Sequence, residues 1–311
     1  MATERPIQIR IGICSFRRPD MLAKLLEALD CLDSRTPAFR VVVVDNDAAG
    51  SARQSVEAVS GRVHYPLDYD IEPQQNIALA RNRCVRDLHE PWLAFIDDDE
   101  IPEAGWLLKL HEAAEQYQAD AVFGPVVPGW SDDVPQWIRG NPVHNRARHR
   151  TGAIMPLGQT RTGNVLMKSS LLKGMSAPFD AAYGLTGGSD SDLFKRLAAQ
   201  GAHYVWCDEA PVVEQVGRDR ARPAWLLRRF FRGGHNHVRQ QLSAKPRGLR
   251  ILFKLFTLLR SLLLLMISLG GGLLLWPVAR SRAFNLLCRA AGQAGQITAL
   301  TPFEYAEYRP R

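Results

Sequence analysis

The sequence predicts an α/β protein with a doubly wound, mostly parallel sheet and an apolar helical region towards the C-terminus. Two observations carry this prediction: short apolar runs alternate with helix-period segments in the first half, and a long charge-free stretch follows residue 260. Alternating β and α segments are typical of parallel sheets covered by helices on both faces. The expected domains are residues 1–243 for the α/β part and residues 244–311 for the helical part.

Each expected element follows from a local pattern. Short apolar or β-branched runs predict buried strands, at residues 7–14, 41–44, 92–96, 121–127, 163–167 and 203–207. Apolar residues at helical spacing predict helices, at residues 19–32, 74–88, 103–118, 192–200 and 224–242. The stretch between residues 129 and 158 is rich in Trp, Pro, Asn, Arg and His without clear periodicity. We expect it to be a long functional loop region.

Composition excludes several classes of protein. Hydrophobic residues make up 46% and charged residues 23% of the 311, which is typical of a globular chain. The five cysteines are widely separated without a CxxC pair, so neither a disulfide framework nor a zinc site is expected, and a reducing cytosol fits. No apolar run precedes Arg10, so we expect no signal peptide.

Carboxylates follow two of the expected strands. Asp45 ends one, and Asp97, Asp98 and Asp99 follow another, at the sheet edge where ligands of such folds bind. Three consecutive carboxylates repel one another unless a cation compensates, and Mg²⁺ or Mn²⁺ shared with phosphate oxygens would do so. Asp45 can accept hydrogen bonds from a nucleoside. The alternatives are an acidic surface loop and a turn-capping Asp.

Two further segments contain candidate functional residues. Arg81, on the helix expected after residue 74, can pair with a diphosphate or with a loop carboxylate, or simply form a surface salt bridge. After Gly187 and Gly188, Asp190 and Asp192 can each cap a helix or act as a general base. We favour Asp190 as the base and Asp192 as the cap.

The C-terminal region is apolar and flanked by basic residues. Residues 261–279 contain no charge, a length within the range that spans a bilayer. Because Gly270, Gly271 and Gly272 divide this run, a re-entrant hairpin or two interfacial helices is an alternative to one spanning helix, and a buried core helix is a third. Arg and Lys concentrate after residue 217, which favours an anionic lipid surface over nucleic acid or a merely solvated helix face.

Taken in order, six motifs resemble one enzyme family. They are ICSFRRP (13–19), VVVVDND (41–47), NIALARN (76–82), FIDDDE (95–100), GGSDSDL (187–193) and RRFFRGG (228–234). This series resembles the family-2 glycosyltransferases of GT-A fold, and is most similar to bacterial exopolysaccharide glucosyltransferases of the succinoglycan type. The resemblance covers about residues 7–240. It implies a nucleotide-sugar donor, with UDP the expected nucleotide, and a divalent metal.

The resemblance also implies a role for each matching residue. Asp190 would be the catalytic base, Asp99 would bind the metal, and Asp45 would bind the nucleoside base of the donor. The other implied nucleotide-sugar contacts are Cys14, Ser15, Arg81, Asp97, Asp98, Arg228 and Arg232.

Two departures from the family pattern concern the catalytic and metal sites. Ser189 stands where the family has Glu before the catalytic Asp, which removes an expected carboxylate. No His stands near residues 213–216, where the family often has a metal ligand. Glu214 is a candidate substitute, and His235 and His237 are more distant ones.

The expected function is inverting transfer of a sugar to a lipid-linked or oligosaccharide acceptor at the cytoplasmic face of the plasma membrane, with no nucleic-acid partner. Trp130, Trp137 and Asp192 are the candidate acceptor contacts, the two tryptophans being alternatively loop-packing aromatics. The competing functions are a sugar nucleotidyltransferase and a degenerate, nucleotide-sugar-binding membrane scaffold. No GxGxxG follows the first strand, which disfavours a dinucleotide-dependent oxidoreductase.

Overall fold

The computed structural model describes residues 6–184 and 187–302, which form two compact units. Within that range the first unit contains residues 6–127 and 147–215, and the second contains residues 128–146 and 216–302. The second unit thus includes residues on both sides of the boundary expected at residues 243 and 244, and that boundary stays a sequence-based prediction. The outer ends of both expected domains lie outside the described residues.

The strands of the described chain are short. They are β1 (Ile9–Ser15), β2 (Phe39–Asp45), β3 (Leu67–Ile71), β4 (Trp92–Phe95), β5 (Glu100–Pro102), β6 (Ala121–Phe123), β7 (Val126–Gly129), β8 (Val165–Lys168), β9 (Tyr204–Trp206) and β10 (Val212–Gln215). The helices are α1 (Pro19–Asp30), α2 (Arg53–Ser60), α3 (Ile77–Cys84), α4 (Trp106–Gln116), α5 (Gln136–Arg139), α6 (Ser189–Ala199), α7 (Pro223–Ala244), α8 (Arg250–Leu275) and α9 (Arg280–Thr298).

Seven of these strands form the central sheet of the first unit, in the order β3-β2-β1-β4-β8-β6-β9. Each pairing is parallel except those of β8, which runs antiparallel to both β4 and β6. The prediction of an α/β fold with a mostly parallel sheet is therefore confirmed. Strands β5 and β10 pair antiparallel in a second, smaller sheet.

Helices cover both faces of the central sheet. Leucines of α1 and α4 pack with isoleucines of β1 and valines of β2 in one apolar cluster. On the opposite face, Ala78 and Ala80 of α3 and Leu193 and Phe194 of α6 pack against β4, β6 and β8. The small side chains of α3 bring its backbone close to the sheet. This places α3 and the start of α6 on the same side of the sheet.

Several expected elements differ in detail. The strand expected at residues 121–127 is two strands, because Gly124 and Pro125 interrupt it, and a side chain at Gly124 would collide with the Ala210 carbonyl. The helix expected from residue 74 begins only at Ile77, since Asn76 caps it. Strands β3, β5 and β10 and helices α2, α5 and α9 were not predicted, α5 being a short helix inside the stretch 129–158 that was expected to be a loop.

The second unit is built from helices. Its core includes Leu226 of α7 and Phe284 and Cys288 of α9, with Ile138 of α5 packed among them. Helix α8 runs unbroken through Gly270, so the division of the apolar run into two segments was wrong. Among the described residues, α8 is the one helix long and apolar enough to cross a membrane, by length and composition.

Candidate active site

An arginine holds two of the three consecutive aspartates. Strands β1 and β4 are adjacent and parallel, so the loops that follow them meet at one edge of the sheet. Arg18 Nη1 donates to Asp98 Oδ1 at 2.9 Å and to Asp99 Oδ2 at 2.8 Å, and Ser15 Oγ donates to Asp98 Oδ2 at 2.9 Å. Burial alone would lower the pKa of Arg18, but the charges of Asp98 and Asp99 raise it above its ordinary value. Arg18 is therefore the positive charge that compensates this loop.

Both oxygens of the Asp98 carboxylate are bound within the fold. Asp98 and Asp99 are both buried, with 4% and 5% exposure. Each oxygen of Asp98 already accepts a hydrogen bond, one from Ser15 and one from Arg18. Asp98 therefore joins the loops after β1 and β4, a structural use that sequence reasoning did not assign to it.

Asp97 belongs to a second carboxylate group. Its backbone N–H donates to Glu100 Oε2 at 2.9 Å, and Glu100 lies opposite Glu214 in the β5–β10 pairing. Asp97 is exposed as a residue, but the protein around its carboxylate reduces the solvation of the charged form. This effect and the charge of Asp99 raise the pKa of Asp97 to about 6, while the charge of Arg81 opposes the rise. Burial and the charge of Asp97 likewise raise the pKa of Glu100 well above its usual range.

A glycine makes room for this carboxylate group. A Cβ atom at Gly163 would lie 2.8 Å from Glu100 Oε1, closer than real Cβ contacts allow, and 3.0 Å from Asp97 Oδ2, a tight contact. Any larger residue at position 163 would therefore displace the Glu100 carboxylate.

The donor set suits a hard divalent cation in its chemistry, since carboxylate oxygens are the ligands that Mg²⁺ and Mn²⁺ prefer. In the part of the chain that the structure describes, no group of three His, Cys, Asp or Glu is placed to hold a metal ion. Glu214, the candidate substitute for the family's histidine, does lie beside Glu100. His235 and His237 lie on α7 in the second unit.

Asp45 is fully buried at the end of β2, and its carboxylate accepts three hydrogen bonds within the fold. Its carboxylate accepts from Ala52 N at 2.7 Å, from Asp47 N at 3.1 Å and from the Tyr69 hydroxyl at 2.9 Å. Burial and this hydrogen bond raise the pKa of Tyr69. Asp45 thereby organises the β2–α2 turn. Its contact with a nucleoside base stays a prediction, which requires a further donor beside these three.

Cys14, at the end of β1, lies against the thiol of Cys84 on α3. The two sulfur atoms of Cys14 and Cys84 are 3.7 Å apart, and Cys84 also donates to the Ile13 carbonyl at 3.8 Å. Burial raises the pKa of the Cys84 thiol. Cys14 itself is half-buried, so part of it faces the edge of the sheet at which the carboxylates gather.

The NIALARN motif ties α3 to the segment before α6. Asn76 accepts from Ala78 N and Leu79 N as the cap of α3, and its Nδ2 donates to the Ala181 carbonyl at 3.0 Å. Asn82 makes two hydrogen bonds to the backbone of Phe179. Asn82 Nδ2 donates to the Phe179 carbonyl at 2.8 Å, and the Phe179 N–H donates to Asn82 Oδ1 at 2.9 Å. The two asparagines thus fix a loop that is about a hundred residues away in sequence.

The same motif reaches the start of α6. Arg81 Nη1 donates to Ser189 Oγ at 3.0 Å, so the serine that replaces the family's glutamate is still bound to this arginine. The charge of Arg81 also opposes the rise in the pKa of Asp97. Arg81 therefore holds the residue that precedes Asp190 while its charge acts on the carboxylates after β4.

Asp190 and Asp192 occupy the first turn of α6. The N-cap is Gly188, at φ 106° and without a side-chain bond, so Asp192 is not the helix cap that the sequence suggested. Asp192 instead pairs with Arg196 at 2.8 Å, one turn later. Asp190 is half-buried, and its Oδ1 accepts from Ser191 N at 2.8 Å.

We expect Asn82→Ala to lower kcat about 10- to 100-fold with a smaller change in the donor KM. The loss of both bonds to Phe179 loosens the segment that leads to Asp190, and small displacements of a reacting group have effects of this size. Steady-state kinetics and a thermal melt check this. An unchanged kcat beside a lowered Tm would show that Asn82 serves stability alone.

The remaining predicted site residues lie in the second unit. Arg228 and Arg232 are on α7, and Arg232 is buried. Trp130 packs edge-on against His144 at 4.8 Å, and Trp137 packs edge-on against Phe284 at 5.0 Å. These contacts fit the packing interpretation of both tryptophans. Diphosphate binding by the arginines and acceptor binding by the tryptophans stay predictions.

Several residues of the site were missed from the sequence. Arg18, Glu100, Asn76 and Asn82 all stand inside the motifs that were singled out, which was the available signal. Gly163 had no such signal, because only the folded chain brings it against Glu100.

The fold, a mostly parallel sheet covered by helices with carboxylates at its edge, is that of the GT-A glycosyltransferases. The family model described as glycosyl transferase family 2 matches residues 11–173. The succinoglycan biosynthesis protein ExoM of Rhizobium meliloti (strain 1021) is 36% identical over 248 residues, which cover 78% of each chain. The chain therefore belongs to glycosyl transferase family 2.

Solved structures share the fold. The mannosyltransferase PcManGT from Pyrobaculum calidifontis, in complex with GDP-Man and Mn²⁺, superimposes with a TM-score of 0.64 at 16% identity, over 96% of this chain and 88% of that one. S. aureus TarS 1-349, in complex with UDP-GlcNAc, gives a TM-score of 0.52 at 16% identity, over 73% of this chain and 66% of that one. The chain thus spans just under two thirds of the length of that TarS structure.

Proposed function

We propose that the chain transfers a sugar from a nucleotide-sugar, with UDP as the nucleotide, to a lipid-linked or polysaccharide acceptor in cell-surface glycan biosynthesis. The observation that carries this is the hydrogen bond from Arg81 to Ser189, which holds an arginine whose charge acts on Asp97 beside the helix turn that bears Asp190. The relative ExoM is named for succinoglycan biosynthesis, and the TarS neighbour is in complex with UDP-GlcNAc. Both support this class of donor and product.

In this proposal Asp190 is the general base. As the acceptor oxygen attacks the anomeric carbon, its proton passes to the Asp190 carboxylate, and the bond from that carbon to the diphosphate oxygen breaks. Attack from the face opposite the leaving group inverts the anomeric configuration. A half-buried carboxylate at the start of a helix suits the task, because its backbone bond to Ser191 fixes one oxygen.

The donor side of the proposal assigns a divalent ion to Asp99, with Asp97 beside the ribose. The grouping of Asp97, Asp99 and Glu100 supports this, because beyond the larger effect of burial the neighbouring carboxylates raise the pKa of Asp97 and of Glu100, and a bound cation would relieve that repulsion. When bound, the ion would stabilise the charge on the departing nucleoside diphosphate. Arg18 holds Asp98 and Asp99 in place, and Arg81 is the arginine expected nearest the diphosphate.

The acceptor side rests on helix α8. Its length, its apolar composition and its exposed apolar side chains support association with a membrane, where a lipid-linked acceptor would be found. The proposal takes the nucleotide-sugar donor from the cytosol, and it therefore assigns the reaction to the cytoplasmic face of the membrane.

The test is release of nucleoside diphosphate from a panel of UDP- and GDP-sugars, with bacterial membranes as the acceptor source. We expect release from a UDP-sugar that depends on Mn²⁺ or Mg²⁺ and requires the membranes. Product configuration, read by NMR, checks inversion. Retention of configuration would contradict the role assigned to Asp190.

The same assay separates the competing functions. Release of pyrophosphate with formation of a sugar nucleotide would identify a nucleotidyltransferase instead. Tight binding of a UDP-sugar with no release under any condition would identify a catalytically inactive scaffold, consistent with Ser189 in place of the family's glutamate.

A further inference from the structure

Helix α8 is apolar on the outside and polar on the inside. The residues buried in the second unit are small or hydroxylated, namely Thr257, Ser261, Ser268 and Gly272. Apart from Lys254, Arg260 and Gly270, the exposed residues are large and apolar, including Ile251, Leu255, Leu259, Leu263, Met266 and Leu274. Among the described residues of the second unit, nothing covers this apolar face.

Helix α9 lies antiparallel against the buried face of α8. Near one end, Ser261 Oγ donates to Gln296 Oε1 at 3.1 Å. Towards the other end, a Cβ at Gly272 would lie 2.9 Å from the Leu287 side chain. Two of the glycines that seemed to divide the apolar run, Gly272 and less closely Gly271, therefore let α9 approach. The two helices run side by side along much of their length.

Helix α9 is in turn packed backbone to backbone on α7. A Cβ at Gly234 would lie 2.0 Å from the Gly292 carbonyl oxygen, and one at Gly295 would lie 1.9 Å from the Phe231 carbonyl oxygen. Contacts this close leave no room for lipid or for a shift of one helix along the other. α9 is therefore fixed between α8 and α7, and the three helices form one layered body.

This layering decides how α8 can meet a bilayer. If α8 stood across the membrane, α9 beside it would be carried into the hydrocarbon with exposed Arg289 and with Gln293 and Gln296. Polar and charged residues are costly there unless they are paired or face water. If α8 instead lies flat, its apolar face enters the acyl chains and α9 stays on the aqueous side.

The charge of the region identifies the lipid. Between residues 220 and 303 the chain has 14 Lys and Arg and no Asp or Glu. Lys254 and Arg260 belong to α8 itself, and Arg280 and Arg282 begin α9. Basic residues beside an apolar face are attracted to anionic headgroups. A second copy of the chain would bring a second surface of the same sign, which this charge disfavours.

We propose that α8 lies in the plane of one leaflet of an anionic bilayer, with its apolar face in the acyl chains, so that the chain enters the membrane without crossing it. This inference rests on the proposed function only in that both place the enzyme at a membrane.

The first experiment is flotation of the full chain with phosphatidylcholine vesicles, with and without phosphatidylglycerol. We expect about tenfold or greater enrichment on the anionic vesicles, weakened by salt. Equal binding to both vesicle types would remove the assigned role of the basic residues.

The second experiment compares three substitutions of isoleucine by glutamate. Ile251 and Ile154 are both 76% exposed, Ile251 near the start of α8 and Ile154 in the first unit, and Ile267 is 58% exposed further along α8. A helix in the plane of the leaflet inserts along its whole length, so Ile251→Glu and Ile267→Glu should each weaken vesicle binding about tenfold or more. Ile154→Glu is the matched control and should bind as the parent chain does.

A spanning helix predicts a different pattern. Residue 251 would stand about 28 Å from the middle of the charge-free run, at about 1.5 Å per residue, whereas half the hydrocarbon core is about 15 Å thick. Ile251→Glu would then be tolerated and only Ile267→Glu would impair binding, which would overturn the inference. Binding unchanged in both variants would overturn it too, as would a lipid-free dimer that Ile267→Glu converts to monomer.

Nucleoside diphosphate release is measured on the same preparations. If vesicle binding follows the expected pattern without any release, the proposed function fails and the membrane inference stands. If release is normal but only Ile267→Glu weakens binding, the proposed function stands and the membrane inference fails.

Discussion

Asp190→Asn should lower kcat about 10²- to 10⁴-fold, the range found when a general base is removed. Asparagine has the same size and can still accept the bond from Ser191 N, so α6 and the loop before it should keep their places. The donor KM should change little, because the base acts on the acceptor oxygen. Steady-state release of nucleoside diphosphate at saturating donor measures the effect.

Asp192→Asn is the informative companion, two residues further along the same helix. Its carboxylate pairs with Arg196, so any role in catalysis should show as a raised acceptor KM with kcat largely kept. A kcat loss as large for Asp192→Asn as for Asp190→Asn would move the base to Asp192. Full activity of Asp190→Asn would remove it from the reaction altogether.

Asp99→Asn should lower kcat/KM about 10²- to 10³-fold, as expected when one electrostatic contact to a leaving group is lost. The variant should also lose the stimulation by Mn²⁺ or Mg²⁺, because asparagine supplies one neutral oxygen where the carboxylate supplied a charge. Activity measured across a metal titration tests both parts.

Asp98→Asn separates this effect from damage to the fold. Asp98 is held by Ser15 and Arg18, so its replacement should reduce the free energy of unfolding by about 1–3 kcal/mol. Its response to metal should be retained. If Asp98→Asn abolishes the metal response and Asp99→Asn does not, the two assignments must be exchanged.

The sequence predicted the positions of the functional groups better than their partners. Buried strands followed by carboxylates place Asp45 and Asp97 at one edge of the sheet, since parallel strands share that edge. What Asp45 contacts depends on Tyr69, in a strand that was not predicted because its sequence, LDYDI, is half polar. The antiparallel direction of β8 was missed because an apolar run carries no sign of its orientation.

The same limit applies to α8 and α9. The glycines of α8 indicate a break only in a helix considered alone, where they lower helix propensity. Packed against Leu287, Gly272 is instead the position that allows close approach. α9 was overlooked because it has few large apolar residues and many small ones, a composition that makes sense only beside α7 and α8.

The segment that contains α7 to α9 also differs in charge from the rest of the chain. The net charge is +7, yet 14 of the 39 basic residues lie in residues 220–303 and all 32 acidic residues lie elsewhere, beside the other 25 basic ones. The rest of the chain is thus net negative by seven charges. A surface of anionic lipid attracts this basic segment through long-range forces that salt screens. Capture by the membrane should therefore be a rate that ionic strength controls, while turnover of enzyme already bound should depend on it far less.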